Sequence, residues 1–398
     1  MASVLTRLLG FSNLSTAEDI VQDTLLKAMT SWRFHGIPQN PSAWLYAAAK
    51  NKAIDVIRSG KYILRQQAEL SNLLQSEWTL SSTVNQLFIG DEIEDSQLRM
   101  IFACCHPVIP YESQIALTLK TLCGLSAAEI ANAFLTGEET ISKRLYRAKE
   151  KIRAEKIELE MPPSANLSHR LDAVLHVLYL LFNEGYNSSH PNQLIREDLC
   201  GEALRLGLLL DKKPQTNGPR TKALLSLMCL QASRFNARIG DNGHIILLPK
   251  QDRQLWNSEL IRKGRYYLEL SAEGKEVSEY HLEAAIAYCH AEAATFADTD
   301  WKRILELYKI LSTLNPGPVI EMNKAIAFGY AESAARGLQE LQKIKELEHH
   351  YLYHTAMGDF NLMLNKNQEA RSCYESASKL NASVQEKELL YKKIKSCG

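Results

Sequence analysis

Apolar residues recur every three or four positions along most of the chain, and strand-like alternation is rare. Two such stretches, "STAEDIVQDTLLKAMTSW" and "PSAWLYAAAKNKAIDVIRSGK", fill much of a first block that covers residues 1–61. Ser15 and Glu18 have the spacing of a capping box, and Asn40 precedes a proline at a first helical position. This periodicity with these start signals predicts helices, so the predicted fold class is all-α. The first stretch is predicted to bury Val21, Leu25, Ala28, Met29 and Trp32 and to expose Glu18, Asp19, Gln22 and Asp23.

Changes in composition divide the rest of the chain. Residues 62–96 are polar, rich in Ser and Gln, and end in the acidic run "GDEIEDS", which predicts a linker. A second helical block covers 97–160, and "MPPSAN" then interrupts the pattern because a Pro-Pro pair ends a helix. The segment 167–398 is predicted to be a long helical domain.

Within 167–398, small residues at regular positions indicate closely packed helix pairs. Gly358, Ala370, Tyr374 and Ala377 have spacings typical of a tetratricopeptide unit. One exception to the helical pattern is "ARIGDNGHIILLPKQ", where Asp-Asn-Gly separates two β-prone runs and predicts one short hairpin.

A pair of short helices with a basic second member is predicted within 97–160. Ser126 and Glu129 form a capping box that starts the first helix, and Thr136-Gly137 ends it. A second helix from about 138 places its apolar stripe at Ile141, Leu145, Ala148 and Ile152. The opposite side carries Thr140, Lys143, Arg144, Arg147 and Lys151. This is the pattern of a helix-turn-helix that reads the major groove, although a solvated charged face on a helix pair would look the same.

The stretch "PSAWLYAAAKNKAIDVIRSGK" combines cations with aromatic residues. Phosphate neutralisation together with a surface for unstacked bases is what melted DNA requires. The candidates on this stretch are Lys50, Lys52 and Arg58 with Trp44 and Tyr46, while Trp44 and Tyr46 also suit a helical core.

Composition and charge limit the other classes of function. The formal net charge is zero, so contact with nucleic acid depends on local patches. Eight cysteines without a C-x-x-C pair indicate reduced thiols, and the longest apolar run is too short to span a bilayer. With no recognisable export signal, a cytoplasmic protein without membrane contact is expected.

Several residue groups that could carry chemistry are better explained by structure. His350 and His354 lie four positions apart, but no further ligand completes a metal signature, and adjacent Cys104 and Cys105 point in different directions. Glu184 in "FNEGY" precedes a glycine at a predicted helix end. The sequence has no phosphate loop and no nucleophile elbow, so no enzyme activity, cofactor or metal site is predicted.

In this order, "AEDIVQDTLLKA", "NPSAWLYAAAKNKAIDVIR" and the helix-turn-helix resemble regions 2 and 4 of bacterial RNA polymerase sigma factors. The resemblance is to the extracytoplasmic-function type, in the sub-group with a tetratricopeptide-like helical C-terminal extension. The segments that resemble this extension include "LYLLFNEGYNSS", "REDLCGEALRL", "QDRQLW" and "HLEAAIAYCHAEA". Members of this type usually have more sequence before the position of Thr6.

The resemblance implies partners and roles for particular residues. It implies that Asp19, Gln22 and Asp23 bind the β′ clamp of the RNA polymerase core. Lys50, Asn51, Lys52, Arg58 and Trp44 would open and bind the −10 element of promoter DNA. Thr140, Lys143, Arg144, Arg147 and Lys151 would contact the −35 element.

The predicted function is promoter recognition and DNA melting by a three-part chain. Residues 1–61 correspond to region 2, 62–96 to the linker, 97–160 to region 4 and 167–398 to an extension that binds a regulatory protein or acts on the DNA-binding domains. The two elements lie about 85–90 Å apart along B-form DNA, and a linker of this length extends to about 115 Å. Two alternatives are a tetratricopeptide-like scaffold with a non-functional sigma half and a conventional helix-turn-helix repressor.

Overall fold

The computed structural model describes residues 1–58, 90–134, 136–187, 195–240, 245–380 and 384–397. The described chain forms two compact units, Met1–Glu184 and Gly185–Gly398. No helix of the described residues is both long enough and apolar enough to cross a membrane. The predicted linker residues 62–89 lie outside the described residues.

The described residues of the first unit form seven complete α-helices and most of an eighth. Their bounds are α1 Ala2–Leu9, α2 Leu14–His35, α3 Pro41–Arg58, α4 Gly90–Cys104, α5 Tyr111–Thr121, α6 Ala127–Ala133, α7 Glu138–Ala154 and α8 Ser164–Tyr186. A cluster of aliphatic side chains from α1, α2 and α3 forms the core of its N-terminal part, which includes Leu5, Leu8, Ile20 and Ala53. The apolar positions that fill this core recur at the helical spacing seen in the sequence.

The acidic run 91–95 is helical, which corrects the prediction that it belongs to the linker. It forms the first turns of α4, where acidic side chains are favourable near a helix N-terminus. Arg7 of α1 forms ion pairs with Glu92 at 2.8 Å and with Asp95 at 3.2 Å. These contacts join α4 to α1, so the run has a structural partner within its own unit.

The predicted boundary at 161–166 is also displaced in the structure. Helix α8 begins at Ser164 and continues to Tyr186. Arg170 on α8 donates a hydrogen bond to the carbonyl oxygen of Phe102 on α4, and the rings of His176 and Tyr111 are 5.2 Å apart. Residues 164–184 of α8 therefore belong to the first unit, and these two contacts join the helix to residues that precede it.

The second unit consists of helices that pack in sequential pairs. Their bounds are α9 Glu197–Asp211, α10 Pro219–Ala232, α11 Phe235–Arg238, α12 Ser258–Ser271, α13 Glu279–Glu292, α14 Trp301–Leu314, α15 Pro318–Ala331, α16 Ala334–Leu341, α17 Tyr351–Met363, α18 Asn367–Ser378 and α19 Val384–Lys395. Ala370, Tyr374 and Ala377 of α18 are fully buried. A Cβ atom at Gly358 of α17 would lie 2.5 Å from the Tyr374 ring, so the small residues permit the close helix contact that their spacing predicted.

The predicted hairpin is much reduced in the structure. Ile239 and Ile245 form one antiparallel bridge, and Ile246 N–H donates to the carbonyl oxygen of Arg238 at 2.8 Å. The predicted turn at 241–244 lies outside the described residues. In the described chain, the segment does not extend into a strand.

Helices α15 and α16 approach so closely that only glycine fits between them. A Cβ atom at Gly337 would lie 2.6 Å from the Cα atom of Gly329. We expect Gly337→Ala to destabilise the second unit by about 3 kcal/mol, because backbone must move to relieve the overlap. Urea unfolding followed by circular dichroism measures this, with Gly201→Ala as the control. Gly201 is exposed within α9 and has open space around it, so its alanine variant should be as stable as the wild type or more stable. Equal midpoints for the two variants would contradict the prediction.

Candidate nucleic-acid interface

Helices α6 and α7 form the helix-turn-helix that the sequence predicts. The capping box starts α6, with Glu129 N–H donating to Ser126 Oγ at 3.1 Å and Ser126 N–H donating to Glu129 Oε2 at 2.7 Å. Ile141, Leu145, Ala148 and Ile152 are all buried, as their spacing predicted. This stripe determines which side of α7 faces away from the core.

The outward side of α7 carries Thr140, Lys143, Arg147 and Lys151, and all four are exposed. Lys143 pairs with Glu139 at 2.8 Å, but both side chains are more than half exposed. Such a surface ion pair contributes little, so a phosphate can replace its carboxylate at small cost. Tyr146 is 65% exposed on the same helix and was not among the predicted residues. Tyr146 belongs neither to the apolar stripe nor to the cations of α7, so the sequence pattern did not select it.

Arg144 differs from the other predicted residues of α7. Its guanidinium forms an ion pair with Glu112 of α5 at 2.5 Å, and its side chain is 28% exposed. The structure therefore places Arg144 at the edge of the basic face, with a carboxylate partner from outside the helix. A helical wheel cannot reveal that partner, because Glu112 is distant in sequence.

Helix α2 presents a mixed acidic and apolar face. Asp19, Gln22 and Asp23 are exposed as predicted, whereas the prediction that Glu18 is exposed is wrong, since its side chain is largely buried. The prediction that Leu25 and Met29 are buried is wrong, since they are 44% and 71% exposed, and Leu26 is 61% exposed. At 100° per residue, the three polar residues, Leu26 and Met29 fall within an arc of about 120°. We call these five residues, Asp19, Gln22, Asp23, Leu26 and Met29, the α2 face.

Helix α3 lies beside the α2 face. Lys52 of α3 pairs with Asp23 at 3.3 Å, and these residues line a shallow cleft of about 320 Å³ together with Asn51. The edge of the Trp44 ring meets Trp32 at a centroid distance of 5.5 Å, which leaves Trp44 half-buried. Lys50 is also half-buried, whereas Asn51 and Lys52 are exposed. Arg58 is the last residue of α3, and its side chain lies outside the described residues.

One ion pair joins the basic helix to the N-terminal helices. Lys149 of α7 donates to Glu18 of α2 at 2.6 Å, and the two side chains are only 20% and 15% exposed. Arg153 also donates to the carbonyl oxygen of Ser12 at 3.4 Å. Neither Glu18 nor Lys149 belongs to the predicted DNA-binding or polymerase-binding set. The first unit therefore holds α7 against α2 through residues outside both binding faces.

Residues to which the sequence pattern assigned structural roles are buried or make packing or helix-capping contacts. Cys104 and Cys105 are buried, and burial raises the pKa of the Cys105 thiol to about 12. His350 caps α17 and His354 bonds to the carbonyl oxygen of Glu348. A Cβ atom at Gly185 would lie 2.8 Å from the Arg196 carbonyl oxygen, so the glycine next to Glu184 permits close packing.

Three family models match the chain. The model of sigma-70 region 2 matches residues 1–62 and the model of sigma-70 region 4 matches residues 99–152. A family of unknown function, DUF6596, matches residues 170–272. The first two matches coincide with the helices that carry the α2 face and the basic face of α7.

Curated relatives extend this likeness over nearly the whole chain. An uncharacterised protein of Rhizobium meliloti is 34% identical over 379 residues, which are 94% of this chain and 88% of the relative. The ECF RNA polymerase sigma factor SigL of Mycobacterium tuberculosis is 29% identical over 133 residues, 33% of this chain and 70% of the relative. A probable RNA polymerase sigma factor of Haemophilus influenzae is 24% identical over 162 residues, 37% of this chain and 84% of the relative. No solved structure matches the chain significantly. The chain therefore belongs to the extracytoplasmic-function type of the sigma-70 family and carries a helical C-terminal extension beyond region 4.

Proposed function

We propose that this protein directs RNA polymerase core to promoters by reading two DNA elements and opening the duplex between them and the start site. The observation that carries the proposal is the exposed basic side of α7, because its cations lie on the second helix of a helix-turn-helix and, among the described residues, form ion pairs only with exposed carboxylates. Lys143 and Arg147 would contact phosphates or base edges of the −35 element, with Thr140, Tyr146 and Lys151 beside them.

The −10 element would bind along α3. Asn51 and Lys52 are exposed there and line the cleft with Asp23. A DNA phosphate that reaches Lys52 would replace the exposed carboxylate of Asp23, which in turn becomes available to another partner. In this proposal, Trp44 supports the base-binding surface from its half-buried position against Trp32. Binding and strand separation require no covalent chemistry.

The α2 face would dock on the β′ clamp of the polymerase. Acidic and amide groups give such an interface its orientation, and the exposed side chains of Leu26 and Met29 add apolar area that loses contact with water on binding. The helical extension would regulate this activity, through a protein partner or by acting on the DNA-binding helices. These partners imply a cytoplasmic location.

In-vitro transcription tests the proposal directly. The purified full chain is mixed with core polymerase and a library of promoter-containing DNA fragments, and transcripts are sequenced. We expect transcripts from a defined set of promoters only when both core and this chain are present. Absence of such transcripts, combined with duplex binding without core, would instead indicate a repressor. Absence of both would indicate a scaffold.

Replacing Leu26 and Met29 together by serine is expected to weaken binding to core polymerase about 100-fold. Each apolar side chain that an interface buries contributes about 1.5–3 kcal/mol, and the serines remove most of that area. Fluorescence anisotropy with labelled protein and core polymerase measures the affinity. Leu314→Ser provides the control, since Leu314 is 49% exposed in the second unit. Unchanged affinity in the double variant would contradict this assignment of the α2 face.

A further inference from the structure

Two arginines converge on one tryptophan in the second unit. The Arg253 Cζ atom lies 4.0 Å from the Trp256 ring centroid, and the Arg234 Cζ atom lies 5.2 Å from it. Trp256 is 6% exposed. Arg253 Nη1 also donates to the carbonyl oxygen of His290, in the last turn of α13, at 2.6 Å. We refer to Arg234, Arg253, Trp256 and His290 as the Arg–Trp cluster.

Three separate segments of the chain build this cluster. Arg234 follows the end of α10, Arg253 begins a short 3-10 helix, and His290 comes from α13. Arg234 Nε donates to Oε1 of buried Gln251 at 3.3 Å, which holds its guanidinium in place. Neutral groups thus fix both guanidiniums, and the tertiary fold keeps two like charges close together.

Among the described residues, no carboxylate forms an ion pair with Arg234 or Arg253. The nearest acidic residue in sequence, Asp252, instead accepts a hydrogen bond from Gln254 N–H at 2.9 Å. Burial and the charge of Arg234 lower the pKa of Arg253. Burial and the two arginines lower the pKa of His290 to about 3, so the imidazole is neutral at physiological pH. The cluster therefore holds two half-buried positive charges without an anion.

The cluster also has unused hydrogen-bonding capacity. Arg253 Nη2, Trp256 Nε1 and His290 Nδ1 are buried and have no hydrogen-bond partner among the described residues. The first two atoms can only donate. In the same unit, Arg196 by contrast has a carboxylate partner, Asp198, at 2.6 Å. Among the described residues, Arg253 Nη2 and Trp256 Nε1 therefore have no acceptor, and a negatively charged acceptor would also balance the charge of the two arginines.

We propose that the Arg–Trp cluster binds a small oxyanion, namely a phosphate or carboxylate group of a small molecule. The oxygen atoms would accept hydrogen bonds from Arg253 and Trp256, and Arg234 would supply the second positive charge. The site lies entirely in the helical extension, so it does not rest on the promoter-binding role and gives the extension a ligand of its own.

Calorimetric titration of the full chain tests the site. Sodium sulfate, phosphate, acetate and succinate are titrated separately at pH 7.5, with sodium chloride at matched ionic strength. We expect saturable binding of at least one oxyanion and none of chloride. Binding of only sulfate and phosphate assigns a phosphate-type ligand, and binding of only acetate or succinate assigns a carboxylate. Equal heats from chloride and every oxyanion would overturn the proposal.

Single substitutions locate the binding. Arg253→Gln and Arg234→Gln are each expected to weaken oxyanion binding tenfold or more, because each removes one charged donor. Arg262→Gln is the matched control, since Arg262 is exposed on α12 and loses the same charge. Circular dichroism verifies that each variant is folded, and two independent arginine variants protect the test against one that is not. Equal affinities of all three variants would refute the assignment.

Discussion

Replacing Lys143 and Arg147 together by alanine is expected to reduce promoter-dependent transcription about 100-fold or more. Both side chains are exposed on the outward side of α7, and both lack a buried partner that the substitution would disturb. Each lost contact to phosphate or base costs about 1–3 kcal/mol in protein–DNA complexes. Run-off transcription with saturating core polymerase measures the loss.

The salt dependence of DNA binding by the same double variant tests independently whether Lys143 and Arg147 contact phosphates. If both residues contact phosphates, the slope of log affinity against log salt should become shallower by about 2. Affinity for core polymerase should not change, because the α2 face is intact. Arg144 is left in place, since its removal would also strip Glu112 of its partner and confuse a structural effect with lost DNA contact.

The matched control is Arg265→Ala with Lys309→Ala. Both residues are exposed in the second unit, and each forms an ion pair with an exposed carboxylate of its own helix. The control removes the same two charges and should keep full transcription. Equal transcription by the double variant of α7 and this control would contradict the assignment of α7 to the promoter interface.

Replacing Glu18 by glutamine is expected to release α7 from α2. The Glu18–Lys149 pair is largely shielded from water, and its loss leaves an ammonium with a neutral amide partner. We estimate a cost of about 2 kcal/mol, between values for exposed and fully buried pairs. This corresponds to a shift of about 30-fold in the equilibrium between joined and separated helices.

The ion pair matters because the proposed two-site binding requires separation of these helices. A compact unit of this size has a radius of gyration of about 16 Å, whereas the two promoter elements are about 85–90 Å apart. A fully extended chain with as many residues as 59–89 measures about 100 Å, which exceeds the distance between the two elements. Weakening the pair should therefore speed formation of the promoter complex.

A distance measurement between two labels tests whether the helices separate. Stopped-flow fluorescence measures how fast the promoter complex forms. Labels introduced at the exposed positions Ser42 on α3 and Ser142 on α7 should show a larger separated population in the Glu18→Gln protein. Exchanging the two charges, with Glu18→Lys and Lys149→Glu in one chain, should restore the wild-type distances. Glu259→Gln breaks an exposed pair in the second unit and serves as the control. Identical distance distributions in wild type and Glu18→Gln would contradict the prediction.

Local patterns in the sequence were sufficient for the helices that carry the site. The buried stripe of α7 and the capping box of α6 depend on residues that follow one another at intervals of three or four positions, so both were predictable. The same logic was wrong for Leu25 and Met29. An apolar residue at helical spacing indicates a face, but whether that face meets the core or solvent depends on which other helices are present.

The sequence by itself determined that the chain is helical, that the second helix of the helix-turn-helix has one buried and one basic side, and that small residues bring helices of the extension together. These features follow from spacing within single helices or adjacent pairs. The tertiary structure decided which charges find partners: Arg7 with the acidic turn of α4, Arg144 with Glu112, and Lys149 with Glu18. It also leaves Arg234 and Arg253 of the Arg–Trp cluster without a carboxylate partner in the part of the chain that the structure describes. Ion pairs between distant segments depend on side-chain positions a few ångströms apart, and only packing of the whole unit sets those positions.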